Sequence, residues 1–395
     1  SIVGRWRHSE HFRDNFAGQL TDYQFLGKPY QLMLEAQRDE LGGDWAFELS
    51  HPFLSDLQRM SWRSTAGSRE EYRFFRRDPL EPVPSPDGES LTGQIPGSPA
   101  VGLSRSYADI GGVIRVGPPG GRLALVGGSI SYEDEMPQNF PTAVGLGTVQ
   151  RDTIAALTDR YGRHKSTRLN LLAGIRDVRY LSVTGFEALD GRQDVRKGVE
   201  ISTLLGRGYE ALGSTVNDMF ASADLYAGAG SKRLFTAFEA TLEGRRDEET
   251  TRWDGILGSS RWATYFKPVQ GQTVLSSVEW SGGWRQRIPF QLLLADKTGG
   301  PRGYEKSTIG GGERIVLRLE DRFYLGRFKS LASLGIAPFT DFGKVYAGDS
   351  PFGVTSPIVT SVGISLLGSV PPSSQRLWRL DLAYPLNKEH GARLK

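Results

Sequence analysis

Two short segments near the C-terminus contain the residue types from which a charged site could be built. The first is residues 301–304 (PRGY), which follow a Gly-Gly pair, and the second is residues 339–343 (FTDFG). A strand-like segment, residues 313–325, separates them and could carry an arginine back to a carboxylate on a neighbouring strand. The chemistry of such a site is ion pairing, because an enclosed guanidinium group is tolerated only where carboxylates meet it.

The sequence holds little that predicts catalysis. His8, His11 and Asp14 could be imagined as a metal site, but alternation along one strand places residues three apart on opposite faces, so we interpret them as polar residues at a strand end. No GxSxG, Walker A or HExxH motif occurs. The absence of cysteine excludes thiolate catalysis, thiolate metal ligands and disulfides. We therefore predict no enzymatic activity, no cofactor and no bound metal.

The composition indicates which broad classes of protein this chain can belong to. The 395 residues are 38% hydrophobic and 24% charged, which excludes a disordered chain and allows one large domain or two ordinary ones. The net charge is only +3 and basic residues are interleaved with acidic ones, so we predict no nucleic-acid partner. No apolar run approaches the ~18 residues of a transmembrane helix, and residues 1–6 lack the layout of a signal peptide.

Period-two alternation recurs along the chain and predicts strands with one apolar and one polar face. Apolar residues alternate with polar ones over residues 30–37, 45–50, 314–325 and 378–384. The one convincing helical pattern covers residues 151–161 (RDTIAALTDRY), which we place in a loop. The chain is thus predicted to be all-β, either as a water-soluble sandwich or as a membrane barrel.

The connections favour the barrel. Residues 325–329 and 370–374 are brief connections, whereas residues 78–100, 133–165, 244–253 and 296–312 are longer and polar. Long strands with alternately short and long connections are typical of a transmembrane barrel, in which every backbone group must be paired. Aromatic residues lie mostly toward strand ends, as at a membrane interface, although a packed core would hold them as well. We predict a transmembrane antiparallel β-barrel of about 16 strands.

The C-terminal third resembles the barrel domain of the Omp85 superfamily, which includes BamA-type insertases, TamA-type assembly factors and two-partner secretion transporters. Residues 299–304 (GGPRGY) resemble the (V/L)RG(F/Y) loop motif of that family, with proline in place of the aliphatic residue. The segments that resemble the strands after it are residues 313–325, 337–345 (the FxDxG strand), 362–364 and 380–386. Upstream, residues 14–18 and 51–54 resemble short periplasmic turns of the family.

This resemblance implies a latch inside the barrel. Residues 296–312 would fold inward as a loop whose latch residues are Arg302, Gly303 and Tyr304. The lumenal partners of the latch would be Glu320, Phe339, Asp341 and Gly343. Alternation supports this, because Glu320 shares a strand face with Arg314, Arg318 and Arg322. A lipid-facing Asp341 would cost several kcal/mol. The latch could stabilise the barrel, take part in transport, or do both.

The resemblance also implies a function at the bacterial outer membrane. Residues 1–395 would be one barrel domain without POTRA modules, with its last strand cut short near residues 391–395. It would insert, assemble or translocate polypeptides, with outer-membrane lipids, protein partners or polypeptide substrates as its partners. The alternatives are a channel, a structural barrel that anchors a partner protein, and a hydrolase with a Ser–His pair on the barrel exterior.

Overall fold

The described part of the chain is mostly β-strand. The computed structural model describes residues 1–9, 13–39, 42–54, 58–76, 100–117, 122–138, 157, 159–296, 299–304 and 307–387. The strands are β1 (Ile2–Ser9), β2 (Arg13–Asp22), β3 (Gln31–Asp39), β4 (Gly42–His51), β5 (Met60–Phe74), β6 (Ala100–Val116), β7 (Leu123–Gln138), β8 (His164–Thr184), β9 (Arg192–Gly208), β10 (Asp218–Gly230), β11 (Leu234–Asp247), β12 (Trp253–Phe266), β13 (Gln272–Trp284), β14 (Leu292–Leu293), β15 (Gly310–Gly311), β16 (Glu313–Phe328), β17 (Ala332–Tyr346), β18 (Val359–Ser369) and β19 (Trp378–Pro385). Two single 3₁₀ turns, Phe25–Gly27 and Glu210–Leu212, complete the named elements.

Seventeen of these strands form one antiparallel sheet, and β14 and β15 form a separate two-stranded ladder. Each strand of the large sheet pairs with the next along the chain, and β13 pairs with β16 across the loop that contains the small ladder. Over the described ranges the ladders run from β1 to β19, and none of them joins β19 back to β1. The all-β prediction is confirmed. No helix within these ranges is long and apolar enough to cross a membrane.

The two edges of the sheet differ in the length of their connections. One edge, which we call the long-loop edge, carries the connections over residues 75–99, 139–163 and 285–312. The opposite edge, which we call the short-turn edge, has only short connections, of which the longest are residues 23–30, 52–59 and 370–377. The predicted alternation of short and long connections is therefore present. Of the helix predicted over residues 151–161, residues 157, 159 and 160 are helical, and residues 151–156 and 158 lie outside the described ranges.

Most sequence-based boundaries agree with the structure, but four do not. The connections expected over residues 133–165 and 244–253 are shorter, because β7 and β11 continue to Gln138 and Asp247. The segments 337–345 and 362–364 lie inside β17 and β18, and 51–54 opens a short turn as expected. Residues 14–18, however, do not form a turn: they lie within β2 and pair with Gly4–His8 of β1. The connection expected over 325–329 also starts later, at 329, because β16 continues past a bulge between Tyr324 and Gly326.

The two faces of the sheet have opposite polarity. On β16, Arg314, Glu320 and Arg322 are no more than 7% exposed, while Leu319 and Leu325 are 38% and 61% exposed. The exposed apolar residues continue around the outer face on other strands, among them Ile110, Ile130, Leu171, Ile201, Leu242, Trp262, Ile364 and Leu382. A soluble protein normally buries apolar residues and exposes charged ones, so this arrangement is inverted.

The sheet curls until strands far apart in the order meet across its interior. Arg322 on β16 donates a hydrogen bond to the carbonyl oxygen of Phe186, which follows β8. The hydroxyl of Ser333 on β17 lies 2.8 Å from the carboxylate of Asp190, which precedes β9. The polar face of the sheet is therefore its inner face, and the apolar face is its outer face.

Candidate functional site

The loop between β13 and β16 folds back against the inner face of the sheet. The short ladder of β14 and β15 brings the two arms of this loop together, and residues 299–304 lie at the fold between them. Leu294, Ala295 and Tyr304 pack with Val345 and Val359 of the wall in a buried apolar cluster. An apolar base of this kind fixes the depth at which the loop lies, which in turn positions Arg302.

Arg302 binds two carboxylates on the two strands that follow it. Its Nη2 and Nε atoms donate to Oδ1 and Oδ2 of Asp341 on β17, both at 2.7 Å, and its backbone N–H donates to Oδ2 at 3.0 Å. Its Nη1 atom donates to Oε2 of Glu320 on β16 at 3.1 Å. The guanidinium carbon lies 3.4 Å from the centroid of the Phe339 ring. Bidentate pairing and a stacked aromatic ring are the geometry for which arginine is suited and lysine is not.

Glu320 is the centre of a larger charged group. Its Oε1 accepts from Nε of Arg322 at 2.6 Å, and its Oε2 also accepts from Arg379 on β19. Arg379 in turn donates to Asp381 at 2.8 Å. We call the whole group the latch cluster; its members are Arg302, Glu320, Arg322, Asp341, Arg379 and Asp381. Three arginines and three carboxylates make it neutral, which is what burial of so many charges requires.

Gly303 and Tyr304 fix the path of the chain beside the arginine. Gly303 has a φ angle of 88°, in the left-handed region that glycine adopts without strain. Tyr304 is only 1% exposed, and its hydroxyl donates to the carbonyl oxygen of Thr360 at 3.0 Å. Because the ring is buried and its hydroxyl is bonded to Thr360 of β18, the loop is anchored to the wall just after Arg302.

Two glycines of the wall allow this close approach. A Cβ atom at Gly343 would lie 2.7 Å from Cγ of Pro301, so the loop proline occupies the space that a side chain would need. A Cβ atom at Gly363 on β18 would lie 2.4 Å from the Phe339 ring. The first glycine therefore admits the loop, and the second admits the aromatic ring on which Arg302 lies.

The structure thus brings together all seven residues that the sequence predicted. It also shows further residues of the wall that contact the loop. Arg318 donates to the carbonyl oxygen of Gly300 at 3.0 Å, and Arg314 donates to that of Leu293 at 2.8 Å. Alternation along β16 already placed both on the inner face. Arg379 and Gly363 were missed, because nothing in the sequence shows which residues of β18 and β19 lie against the loop.

Replacing Gly343 with valine should displace the loop while leaving the wall strand intact. The new side chain would overlap Pro301, and the loop has no free space to which it can retreat against the buried Leu294. We expect proteinase K to cut the loop at least about tenfold faster than in the wild type, since an undocked loop is exposed. Gly4→Val is the matched control, because a Cβ atom there meets nothing within 4 Å. Equal cleavage rates for Gly343→Val and the wild type would contradict the steric account.

The N-terminal hairpin corrects one sequence inference. His8, His11 and Asp14 were interpreted as residues of one strand, but His8 and Asp14 lie on neighbouring strands, directly opposite each other in the β1–β2 register. His8 Nδ1 is 2.9 Å from Asp14 Oδ1, and Trp6 donates to the same oxygen at 3.2 Å. His11 lies outside the described ranges. Where the chain is described, no three His, Asp or Glu side chains are grouped to hold a metal ion.

Comparisons with known proteins give structural likeness only. No protein-family model matches the sequence, and no curated protein matches it. The chain is similar in structure to BamA from Haemophilus ducreyi lacking POTRA domains 1–3, with 12% identity, a TM-score of 0.43, and coverage of 100% of this chain and 68% of that one.

Two further structures have a similar degree of likeness. CdiB from Escherichia coli matches with 12% identity, a TM-score of 0.45, and coverage of 100% of this chain and 60% of that one. CdiB from Acinetobacter baumannii matches with 10% identity, a TM-score of 0.41, and coverage of 97% and 59%. The chain therefore spans about three fifths of the length of the CdiB structures it matches. Likeness at this level leaves family membership a proposal.

Proposed function

We propose that this chain is an Omp85-type outer-membrane β-barrel that takes part in inserting, assembling or translocating polypeptides at the bacterial outer membrane. The observation that carries the proposal is the docked PRGY segment: Arg302 lies inside the curled sheet, bonded to Asp341 of the FxDxG strand and to Glu320 of the strand before it. An arginine of this segment bonded to carboxylates of these two strands is what the resemblance in the sequence implies.

The inverted polarity of the sheet supports the membrane part of the proposal. Residues 1–395 would form one closed barrel whose outer face contacts lipid, because exposed apolar residues recur on strands all around the sheet while charged residues line the inside. A charge on a lipid-facing strand position costs about 2–4 kcal/mol at the bilayer midplane, so this distribution of residues suits a bilayer and not water.

The latch is proposed to hold the loop in the barrel lumen. Arg302, Gly303 and Tyr304 form the moving side, and Glu320, Phe339, Asp341 and Gly343 form the fixed side. While these contacts persist the loop occupies the lumen at the level of the FxDxG strand, so passage of a polypeptide would need the loop to move or a route that avoids it. No enzymatic step, cofactor or metal is part of this proposal.

Reconstitution tests the function directly. The full chain is placed in vesicles of outer-membrane phospholipids, and an unfolded small outer-membrane barrel protein is added. We expect the added protein to reach its heat-modifiable folded form faster than in empty vesicles or in vesicles that contain heat-denatured chain. Vesicles that admit small solutes without any change in that folding rate would favour the channel alternative. An unchanged folding rate together with an unchanged permeability would favour the anchoring barrel.

A further inference from the structure

The connection between β8 and β9, residues 185–191, folds into the interior from the short-turn edge. Its backbone is held by side chains of strands on the opposite wall. Thr273 Oγ1 on β13 donates to the carbonyl oxygen of Gly185 at 2.7 Å, and Arg322 on β16 donates to that of Phe186. Just before the connection, Lys267 Nζ donates to the carbonyl oxygen of Thr184 at 2.9 Å. In a turn exposed at the surface, these carbonyl groups would instead form hydrogen bonds with water.

The other end of the same connection reaches further around the sheet. Asp190 Oδ2 accepts from the hydroxyl of Ser333 on β17 at 2.8 Å and from that of Ser373, after β18, at 3.1 Å. Its Oδ1 accepts from the backbone N–H of Ser373 at 3.1 Å. One aspartate therefore bonds both to strand β17 and to the connection after β18.

Apolar side chains of the connection are buried against the inner face of the sheet. Phe186 is 0% exposed, and its ring lies 5.0 Å from that of Tyr265 and 6.0 Å from that of Phe235, measured between centroids. Leu189 packs in a second cluster with Ala337 and Leu367. A Cβ atom at Gly335 would lie 2.7 Å from Leu189, so β17 also leaves space for the connection. Hydrogen bonds alone could form at the surface, but the burial of Phe186 and Leu189 requires the connection to lie inside the curled sheet.

We propose that residues 185–191 form a plug that closes the short-turn mouth of the barrel to ions and small solutes. Four strands, β10–β13, separate β9 from β16 in the sheet, so a segment that joins β8 to β9 and also bonds to β16 and β17 crosses the interior between parts of the wall that are not neighbours. This inference depends on the sheet forming a barrel in a membrane, as proposed above, and is independent of any action on polypeptides.

Arg322 ties this plug to the latch cluster. Its Nε atom donates to Glu320 Oε1 at 2.6 Å while its Nη1 atom donates to the Phe186 carbonyl oxygen. Glu320 Oε2 accepts from Arg302. A single carboxylate and a single guanidinium group thus separate the loop from the plug. Coupling of this kind is reciprocal, so loss of either contact should weaken the other. Arg322 is accordingly a positioning residue that acts on both.

Ion conductance of the full chain in planar lipid bilayers tests the plug. Phe186→Ala combined with Asp190→Ala removes the buried ring and the carboxylate. We expect the open probability to rise about tenfold or more, which corresponds to about 1.4 kcal/mol of lost closure free energy. Asp194→Ala, a matched exposed carboxylate just beyond the plug, should conduct as the wild type does. A folded double variant that stays as closed as the wild type would overturn the proposal.

A disulfide lock provides a second test, in which the plug can be closed and released in one protein. The chain has no cysteine, so Asp190→Cys with Ser333→Cys introduces the only pair, at side chains whose oxygens lie 2.8 Å apart. With Phe186→Ala added, we expect oxidation to close the channel and reduction to reopen it. Failure of the pair to form a disulfide in the folded protein, or a conductance that ignores the redox state, would contradict the plug. Since polypeptide folding in vesicles is measured separately, failure of either proposal is distinguishable from failure of the other.

A double-mutant cycle that measures the same ion conductance tests whether Arg322 couples the latch cluster to the plug. Arg302→Ala and Phe186→Ala should have non-additive effects on open probability in the wild-type background and additive effects in an Arg322→Gln background. A merely structural arginine would leave the two effects equally additive in both backgrounds, and that result would refute the coupling.

Discussion

Replacing Arg302 with alanine should free the loop from the inner wall and lower the temperature at which the folded, heat-modifiable form is lost. Asp341 is 0% exposed and Glu320 is 5% exposed, and Asp341 would lose its ion-pair partner. Removing one partner of a buried ion pair typically costs about 3–5 kcal/mol, because the remaining charge stays buried. The measurements are heat-modifiable mobility on gels, proteinase K cleavage of the loop, and polypeptide folding in vesicles.

Two variants make this experiment interpretable. Arg302→Lys retains the charge but cannot pair with Asp341 through two nitrogens or stack flat on Phe339, so an intermediate loss is expected. Arg252→Ala removes an exposed arginine from the β11–β12 connection and should change nothing. Wild-type melting and wild-type cleavage in Arg302→Ala would show that the other contacts of the loop hold it without the Arg302 side chain.

Replacing Glu320 with alanine should be at least as damaging, because the change affects three guanidinium groups at once. Arg302, Arg322 and Arg379 all donate to this carboxylate, which is the only member of the latch cluster with three arginine partners. The loss expected for an uncompensated buried charge is again about 3–5 kcal/mol. This variant should also raise ion conductance more than Arg302→Ala does, since Arg322 itself would lose the carboxylate that holds it against the plug.

The controls for Glu320 separate charge from shape. Glu320→Gln keeps an oxygen that can accept one hydrogen bond, so it should retain part of the heat stability. Glu249→Ala removes an exposed carboxylate from the β11–β12 turn and should behave as the wild type. If Glu320→Ala melts with the wild type and conducts no more than it does, the latch cluster contributes nothing to stability and the link to the plug is wrong.

The contacts between neighbouring strands of this site can be predicted from the sequence, because alternation along a strand determines which side chains share a face. Glu320 lies with Arg314 and Arg322 on an inner face for that reason alone. The need of a buried arginine for carboxylates then points to Asp341. Both steps use only neighbouring strands, whose pairing follows the order of the chain.

The non-local part depends on how far the sheet curls, which no segment encodes by itself. Residues 185–191 (GFEALDG) have the composition of an ordinary turn, and their role emerges only when the far wall approaches. Arg379 was missed for the same reason. The turn predicted at residues 14–18 was wrong for a different reason. These residues have a turn-like composition, but they pair with β1 as part of a hairpin.

The neutral latch cluster has a consequence for ion selectivity. Arg302 is its only member on the loop, and the wall supplies three carboxylates but two arginines, so the wall alone carries a net charge of −1. With the loop docked, the latch cluster itself has no net charge. With the loop withdrawn, the part of the cluster that stays on the wall would have one excess carboxylate, beside Arg314 and Arg318, which would also lose their bonds to the loop. Movement of the loop would therefore change the charges that face the lumen as well as its width.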